Sequence, residues 1–236
     1  MLRQIALISL FLASLFLTSS IQASEATELD AQTLVDAAAK SVNTFSIDPD
    51  MEWFRQNMNR AKGVLIVPQL VKGGFIFGGS GGSGVLLARG ENNIWSNPAF
   101  YTMGTGTFGL QAGLEIAEII LMIMTDKGVD KLLTSSFKLG GDIGIAAGPI
   151  GAGAKAQVVD ILAFSRAKGI YGGLNVEGAV IKVREDLNQV YYGNEKSSPR
   201  SILIEHSFIN SHADDLRAAV AKLTAQSNPS TEPSTE

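Results

Sequence analysis

The sequence predicts an α+β fold in which helices from both ends of the chain pack against a mainly antiparallel or mixed β-sheet. Three observations predict it. Near the N-terminus, apolar residues recur at helical spacing, from Ala31 to Val42. The middle of the chain consists of short apolar segments separated by glycine and turn residues. A second helical pattern closes the chain, so helices and strands do not alternate as in a βαβ fold.

Periodicity, caps and turn residues predict the individual elements. Helices are predicted over residues 28–44, 49–61, 126–135, 198–205 and 213–225, with a helical turn over 187–192. Strands are predicted over 63–67, 74–79, 84–89, 141–148, 154–164, 169–175 and 179–183, with another starting at residue 94. Pro68 is expected to end its strand, residues 98–106 are expected to be a connection, and alternation over 108–124 favours strand.

The termini are predicted to lie outside the folded domain. Arg3, the apolar run over residues 5–17 and the small residue Ala23 are typical of a signal peptide over residues 1–23. Residues 24–225 are predicted to form one domain, and the Ser/Thr/Pro/Glu-rich residues 226–236 a disordered tail. The predicted location is the periplasm, with release from the cell as the alternative.

Composition narrows the possible functions. The net charge of −4 argues against general nucleic-acid binding. The chain has no cysteine, and its two histidines, His206 and His212, do not form a zinc-ligand spacing. No G-x-x-x-x-G-K-[ST] sequence occurs. We therefore predict neither a metal nor another cofactor.

A glycine-rich segment over residues 72–85 matches two functional motifs, one for dinucleotide binding and one for a hydrolase nucleophile. Residues 79–84, and also 104–109, satisfy G-x-G-x-x-G, but neither is followed by a helical pattern, as a dinucleotide loop requires. Residues 78–82 satisfy G-x-S-x-G, which makes Ser80 a remote candidate nucleophile of a serine hydrolase. Its partners would be Asp126, Asp142, Asp160 or Asp186 with His206 or His212. Flanking strands argue against this elbow, and we expect the glycines, including Gly79 and Gly81, to be required by close packing.

The second predicted helix has an interfacial character. Trp53 and Phe54 are aromatics that enter lipid headgroup regions, and nearby cations attract anionic lipid. The alternative is that these aromatics pack on the sheet. The candidate lipid-binding residues are Trp53, Phe54, Arg55, Arg60, Lys62 and Lys72.

An ordered series of short motifs resembles the SYLF domain, also called the Ysc84 actin-binding or DUF500 domain. It includes Ala-Lys-Gly-Val-Leu-Ile-Val-Pro over 61–68, Gly-Gly-Ser-Gly over 78–81 and Trp-Ser-Asn-Pro over 95–98. Gly-Leu-Gln-Ala-Gly over 109–113 and Phe-Ser-Arg-Ala-Lys-Gly-Ile-Tyr-Gly-Gly-Leu over 164–174 follow in the same order. The resemblance spans roughly residues 33–223.

The resemblance implies lipid binding without enzymatic activity. Eukaryotic members recognise phosphoinositide membranes and bind actin filaments, whereas bacterial members are exported proteins called lipid-binding. We therefore predict an exported domain that binds anionic or amphipathic lipid at a membrane surface. The alternative is an envelope module that is structural or binds a protein partner. Because export would separate the chain from actin, actin is expected to be an unlikely partner.

Overall fold

The computed structural model describes residues 26–74, 77–108, 113–148, 159–168 and 176–227. The predicted signal peptide, the predicted strand over 169–175 and nearly all of the predicted tail lie outside these residues. The helices are α1 (Glu28–Ile47), α2 (Glu52–Asn57), α3 (Asp126–Leu132), α4 (Glu185–Tyr192), α5 (Pro199–Leu203) and α6 (Asp214–Gln226). The strands are β1 (Gly63–Gly74), β2 (Phe77–Ala88), β3 (Ala99–Phe108), β4 (Gly113–Ile123), β5 (Ser136–Lys138), β6 (Ile145–Ala147), β7 (Ile161–Lys168) and β8 (Val180–Val183).

These strands form one sheet in the order β5-β8-β3-β2-β1-β4-β7-β6. Every pairing of neighbouring strands is antiparallel except β6 with β7, which is parallel. Helices α1 and α6, from opposite ends of the chain, pack against each other and belong to the same hydrophobic core as the sheet. The predicted α+β fold with a mixed sheet is confirmed.

Both faces of the sheet are buried at its centre. Val64 and Ile66 of β1 face the core that contains α1, α2 and α6, whereas Leu65 and Val67 face a second core with α3, α5 and β5. Alternate residues of a strand point to opposite faces, so a strand buried on both sides reads as a continuous apolar run. This explains the run Val64–Val67 in the sequence.

Helix α1 confirms the local signals at the N-terminus. Thr27 and Asp30 form a capping box, and Ala31, Val35 and Ala38 lie on the buried face. The helix ends before Pro49, as expected. The predicted second helix is shorter than its pattern suggested, because 3₁₀ turns over Pro49–Met51 and Met58–Arg60 flank the six residues of α2.

A polar cluster ties the corner between α1 and α2 to the sheet. The Arg166 guanidinium on β7 donates hydrogen bonds to Asp48 and, at 2.9 Å, to Glu118 of β4. Ser41 of α1 donates to the other oxygen of Glu118 at 3.2 Å. Burial opposes the charge on Arg166, but its bonds to Asp48 and Glu118 outweigh that effect and raise its pKa. Because Arg166, Glu118, Asp48 and Ser41 form hydrogen bonds with one another, the cluster holds α1 against β4 and β7.

The predicted glycine loop between two short strands is wrong, because the glycines over residues 78–84 all lie within the single strand β2. Strand β1 also continues past Pro68, because a bulge lies there: between the pairs Ile66–Val85 and Val71–Gly81, four residues of β1 oppose three of β2. Proline is tolerated at a bulge since its missing N–H breaks no ladder bond.

The bulge decides which glycines are required. A Cβ on Gly84 would lie 2.4 Å from the carbonyl oxygen of Ile66, and one on Gly82 would lie 2.4 Å from that of Gln69. No heavy atom that counts as a contact lies within 4 Å of the corresponding point at Gly81, and at Gly79 the nearest is 3.0 Å away. The expectation that packing requires Gly81 is therefore wrong, and within the glycine-rich segment the strictest positions are Gly82 and Gly84.

The predicted connection over 98–106 is also wrong, because these residues form most of β3 in the middle of the sheet. Gly104 and Gly106 weakened the local strand signal. They are nevertheless paired with Gly81 and Gly79 of β2, so cross-strand pairing outweighs local propensity here.

We predict that Gly84→Val lowers the free energy of unfolding by about 1–3 kcal/mol, because its side chain would overlap the backbone of β1. Gly81→Val is the matched control, with a change below about 1 kcal/mol. Urea unfolding followed by circular dichroism measures both variants. Equal destabilisation by the two substitutions would contradict the assignment.

Candidate functional site

The aromatic residues predicted to contact lipid lie on the sheet-facing side of α2. Phe54 is 1% exposed, and its ring lies 5.8 Å from that of Phe45 and 5.2 Å from that of Phe164. Trp53 is partly buried and stacks on Phe164 at 6.0 Å. A membrane contact by Phe54 would therefore require α2 to leave the sheet. The observed positions of Trp53 and Phe54 match the alternative in which these aromatics pack on the sheet.

The predicted cations do not form one cluster. Lys72 lies near the far end of β1, ten residues from Lys62, which corresponds to about 30 Å along a strand. Its ammonium lies 3.9 Å from Glu115. The Arg55 guanidinium donates to the carbonyl oxygen of Asp48 and is used within the α1–α2 corner. Only Arg60 and Lys62 remain close to each other, just before β1.

A residue that the sequence reasoning missed, Arg89, joins this pair. It follows β2 directly, and its backbone N–H donates to the carbonyl oxygen of Lys62 at 2.8 Å. Its guanidinium donates to the carbonyl oxygen of Asn59. We call Arg60, Lys62 and Arg89 the basic edge. Only the antiparallel pairing of β1 with β2 reveals it, because Arg89 stands alone in the sequence.

Arg89 is a partly buried member of the basic edge, and its guanidinium has no ion pair among the described residues. Burial lowers the pKa of its guanidinium, and within the described ranges no carboxylate lies at ion-pair distance from it. By contrast, Lys62 lies 3.3 Å from Asp126, whose side chain is mostly exposed. An exposed pair of this kind contributes little stability, so Lys62 can exchange its partner readily.

Two open clefts meet at Arg89. One, of about 410 Å³, lies between Asn59, Arg89 and α6. The other, of about 470 Å³, lies between Lys62, Arg89, Ile204 and α3. Glu91, Asp126 and Asp130 also line the second cleft, so its charge is mixed.

Exposed isoleucines flank the basic edge. Ile94 is 56% exposed, and its carbonyl oxygen accepts a hydrogen bond from Gly90 at 2.9 Å. Ile204 is 44% exposed and lines the second cleft. The edge therefore combines cations with apolar side chains at one end of the sheet, an arrangement suited to binding a surface.

The arrangement offers little support for catalysis at Ser80. Ser80 lies inside β2, paired with Lys72 and Thr105, and not on a strand-to-helix turn. His206 lies beside Gly90. Gly90 follows Ser80 by ten residues, which corresponds to about 30 Å along a strand. His212 contacts Asp36 of α1 at 2.9 Å. Neither histidine is placed to activate Ser80.

The other motifs also lack the surroundings they require. The first G-x-G-x-x-G match lies within β2, and the second ends at residue 109, outside the described residues. Among the described residues, no group of three or more histidine, aspartate or glutamate side chains is positioned to hold a metal ion. None of the described helices has both the length and the apolar character needed to span a bilayer.

Comparison with known proteins identifies the family. The profile described as "Ysc84: Las17-binding protein actin regulator" matches residues 104–223, about half of the chain. The chain belongs to the Ysc84 family. The matched residues run from β3 through most of α6, so the basic edge lies N-terminal to them. No solved structure matches the chain significantly.

Several curated relatives are similar over part of the chain. The chain is 33% identical to LAS seventeen-binding protein 3 of Saccharomyces cerevisiae over 145 residues, which are 58% of this chain and 31% of that protein. It is 33% identical to Protein YSC84 of the same yeast over 149 residues, 60% of this chain and 32% of the relative. SH3 domain-containing YSC84-like protein 1 of Bos taurus is 27% identical over 139 residues, 56% of this chain and 40% of the relative. The chain thus matches about a third of each yeast protein.

These names correct one expectation. Actin was expected to be an unlikely partner, yet the family description names a Las17-binding actin regulator and one yeast relative is named LAS seventeen-binding protein 3. The comparisons point to protein partners in the family. The inference from export to the absence of an actin partner was therefore wrong. The family description is that of regulators and names no enzymatic activity.

We predict that Phe54→Ala lowers the free energy of unfolding by about 3–5 kcal/mol, because a buried aromatic ring is removed. Ile47→Ala, at an 81% exposed position near the same corner, is the control and should change it by less than about 0.5 kcal/mol. Chemical denaturation measures both. A Phe54→Ala protein of unchanged stability that no longer binds vesicles would return Phe54 to the lipid-contact hypothesis.

Proposed function

We propose that the chain is a non-enzymatic binding domain that docks on anionic lipid at a membrane surface through the basic edge. One observation carries the proposal: the guanidinium of Arg89 is partly buried beside Lys62 and exposed isoleucines, with no carboxylate among the described residues at ion-pair distance. A lipid phosphate would supply the missing anion. Ile94 and Ile204 would enter the headgroup region beside it.

The expected affinity is modest. A cation close to an anionic membrane contributes about 1 kcal/mol, so the three residues of the basic edge contribute about 3 kcal/mol together. Acidic side chains around the second cleft reduce this contribution. The clefts are open, which favours docking on a surface over extraction of a whole lipid.

A second candidate function is supported by the relatives. LAS seventeen-binding protein 3 is named for binding a protein, and the family is described as an actin regulator. A protein partner of the actin-regulating kind is therefore the alternative occupant of the same edge. Cations beside exposed isoleucines also suit a protein interface with an acidic partner.

Co-sedimentation distinguishes the two candidates. We expect the protein to pellet with vesicles containing phosphatidylglycerol at low salt, less at physiological salt, and not with phosphatidylcholine alone. Arg89→Gln and Lys62→Gln should each weaken binding about fivefold, the equivalent of about 1 kcal/mol. Lys182→Gln, which removes an exposed cation of β8, is the charge-matched control.

The same proteins are then tested with actin filaments. Failure to pellet with anionic vesicles even at low salt would exclude the lipid proposal. Pelleting with filaments in the same preparation, with loss in Arg89→Gln but not in Lys182→Gln, would favour the protein partner instead.

We also propose that the protein acts outside the cytoplasm, in the periplasm, after removal of residues 1–23. Arg3 and the apolar run over residues 5–17 support this proposal. Expression of the full chain in a Gram-negative host, followed by fractionation and N-terminal sequencing, tests it. Mature protein beginning near residue 24 in the periplasmic fraction is the expected result, and an intact N-terminus in the cytoplasm would refute export.

A further inference from the structure

A third cleft, separate from the two at the basic edge, lies between α1, α4 and the bulge of β1. It has a volume of about 450 Å³, within the range of about 300–1,000 Å³ typical of small-molecule sites. About half of its wall is apolar, formed by Leu34, Ala37, Pro68 and Leu187 together with Ala26, and the other half is polar, including the carboxylate of Asp30. We call it the α1–α4 cleft.

One end of the α1–α4 cleft is polar. Arg184 and Ser83 both line it, and the Arg184 guanidinium donates to the Ser83 hydroxyl at 3.2 Å. The backbone N–H of Arg184 donates to the carbonyl oxygen of Phe100 at 2.9 Å, which fixes the start of α4 against β3. A long cationic side chain is therefore held at a defined place in a cleft of mixed character, where Asp30 is a second carboxylate that acts on the charge of Arg184.

Arg184 is currently paired with a replaceable anion. Its Nε and Nη2 donate to the Asp186 carboxylate at 2.9 and 2.6 Å. That carboxylate belongs to a side chain that is 49% exposed. Because a guanidinium has five N–H groups, these bonds and the one to Ser83 leave two N–H groups available. A ligand oxyanion could use these groups and also take the place of Asp186.

Beyond Ser83, the same face of the sheet is nearly bare. Ser83 and Gly81 point to this face of β2, because they have the same alternation as the buried Val85. Nothing that counts as a contact lies within 4 Å of the point where Gly81 would carry a Cβ. Its cross-strand partner Val71 is 38% exposed. The surface of the cleft therefore continues along β1 and β2 beside α1.

We propose that the α1–α4 cleft binds a single-chain amphiphile with an anionic oxyacid head group, a carboxylate or a phosphate. The head group replaces Asp186 on the Arg184 guanidinium. The acyl chain lies against Leu34, Pro68 and Leu187 and continues over Val71 and Gly81. This site is distinct from the basic edge, and its ligand is a single molecule, not a membrane surface.

Substitutions of opposite expected sign test the head-group contact. The probe is a fluorescent long-chain fatty acid, displaced by oleate or by lysophosphatidic acid to distinguish the carboxylate from the phosphate. Arg184→Gln should weaken binding about tenfold, because it removes a charge-assisted bond. Asp186→Asn should tighten binding several-fold, since it removes the competing anion. Arg200→Gln, at an exposed position of α5, is the control and should bind like the wild type.

Gly81→Val tests the path of the acyl chain. Its fold is expected to be retained, because the position is open, whereas its side chain occupies the bare strip and should weaken long-chain binding. Melting followed by circular dichroism checks folding for each variant. Unchanged affinity in Arg184→Gln, or weaker binding in Asp186→Asn, would overturn the proposal, as would unchanged long-chain affinity in Gly81→Val.

The two proposals fail separately. Arg89→Gln should weaken vesicle docking about fivefold while its affinity for the fluorescent fatty acid is unchanged, and Arg184→Gln should weaken binding of the fatty acid while vesicle docking is unchanged. A protein that binds vesicles but never the fatty acid would refute only the α1–α4 cleft.

Discussion

One extra residue in β1 is the constraint on which much of the structure depends. Around Pro68 and Gln69, β1 has one residue more than each neighbouring strand. Four residues of β1 lie opposite three of β2, and two residues of β1 lie opposite the single residue Glu118 of β4. On the β2 side, the displaced backbone excludes a Cβ at Gly82 and Gly84. On the β4 side, Glu118 bonds Arg166 and Ser41, which hold α1. Sheet and helix are thus positioned by the same irregularity.

Burial of both sheet faces leaves binding to the periphery. The centre of β1, β2 and β4 contributes to the two hydrophobic cores, so most of it is covered by helices and other strands. Polar and apolar groups suited to ligands lie instead where the cores end: at the basic edge, and beside Arg184 where α1 stops covering the sheet. Family membership supports a binding role, and the two surfaces differ in what they suit. The basic edge suits an extended partner, whereas the α1–α4 cleft suits one small molecule.

Local signals were predictable and non-local ones were not. The apolar face of α1 recurs in consecutive turns of the sequence, and α3 and α4 were also recognised from residues close together in the chain. Strands β2 and β3 were misread, because their glycines lack strand propensity and only pairing with neighbours stabilises them. In the same way, Arg60 and Lys62 were found by proximity in sequence, but Arg89 was not.

The sequence by itself determined the fold class, the presence of helices near both ends of the chain, and the family, because periodicity, caps and ordered motifs are read without knowledge of contacts. Only the tertiary structure decided that the glycines over residues 78–84 lie inside one strand and not in a loop between two strands. It alone distinguished the glycines required by close backbone contact from Gly81, which faces open space. It also placed Phe54 in the core and Arg184 beside Ser83. The reason is physical: these properties arise from contacts between strands and helices that are distant in sequence, and no local pattern encodes them.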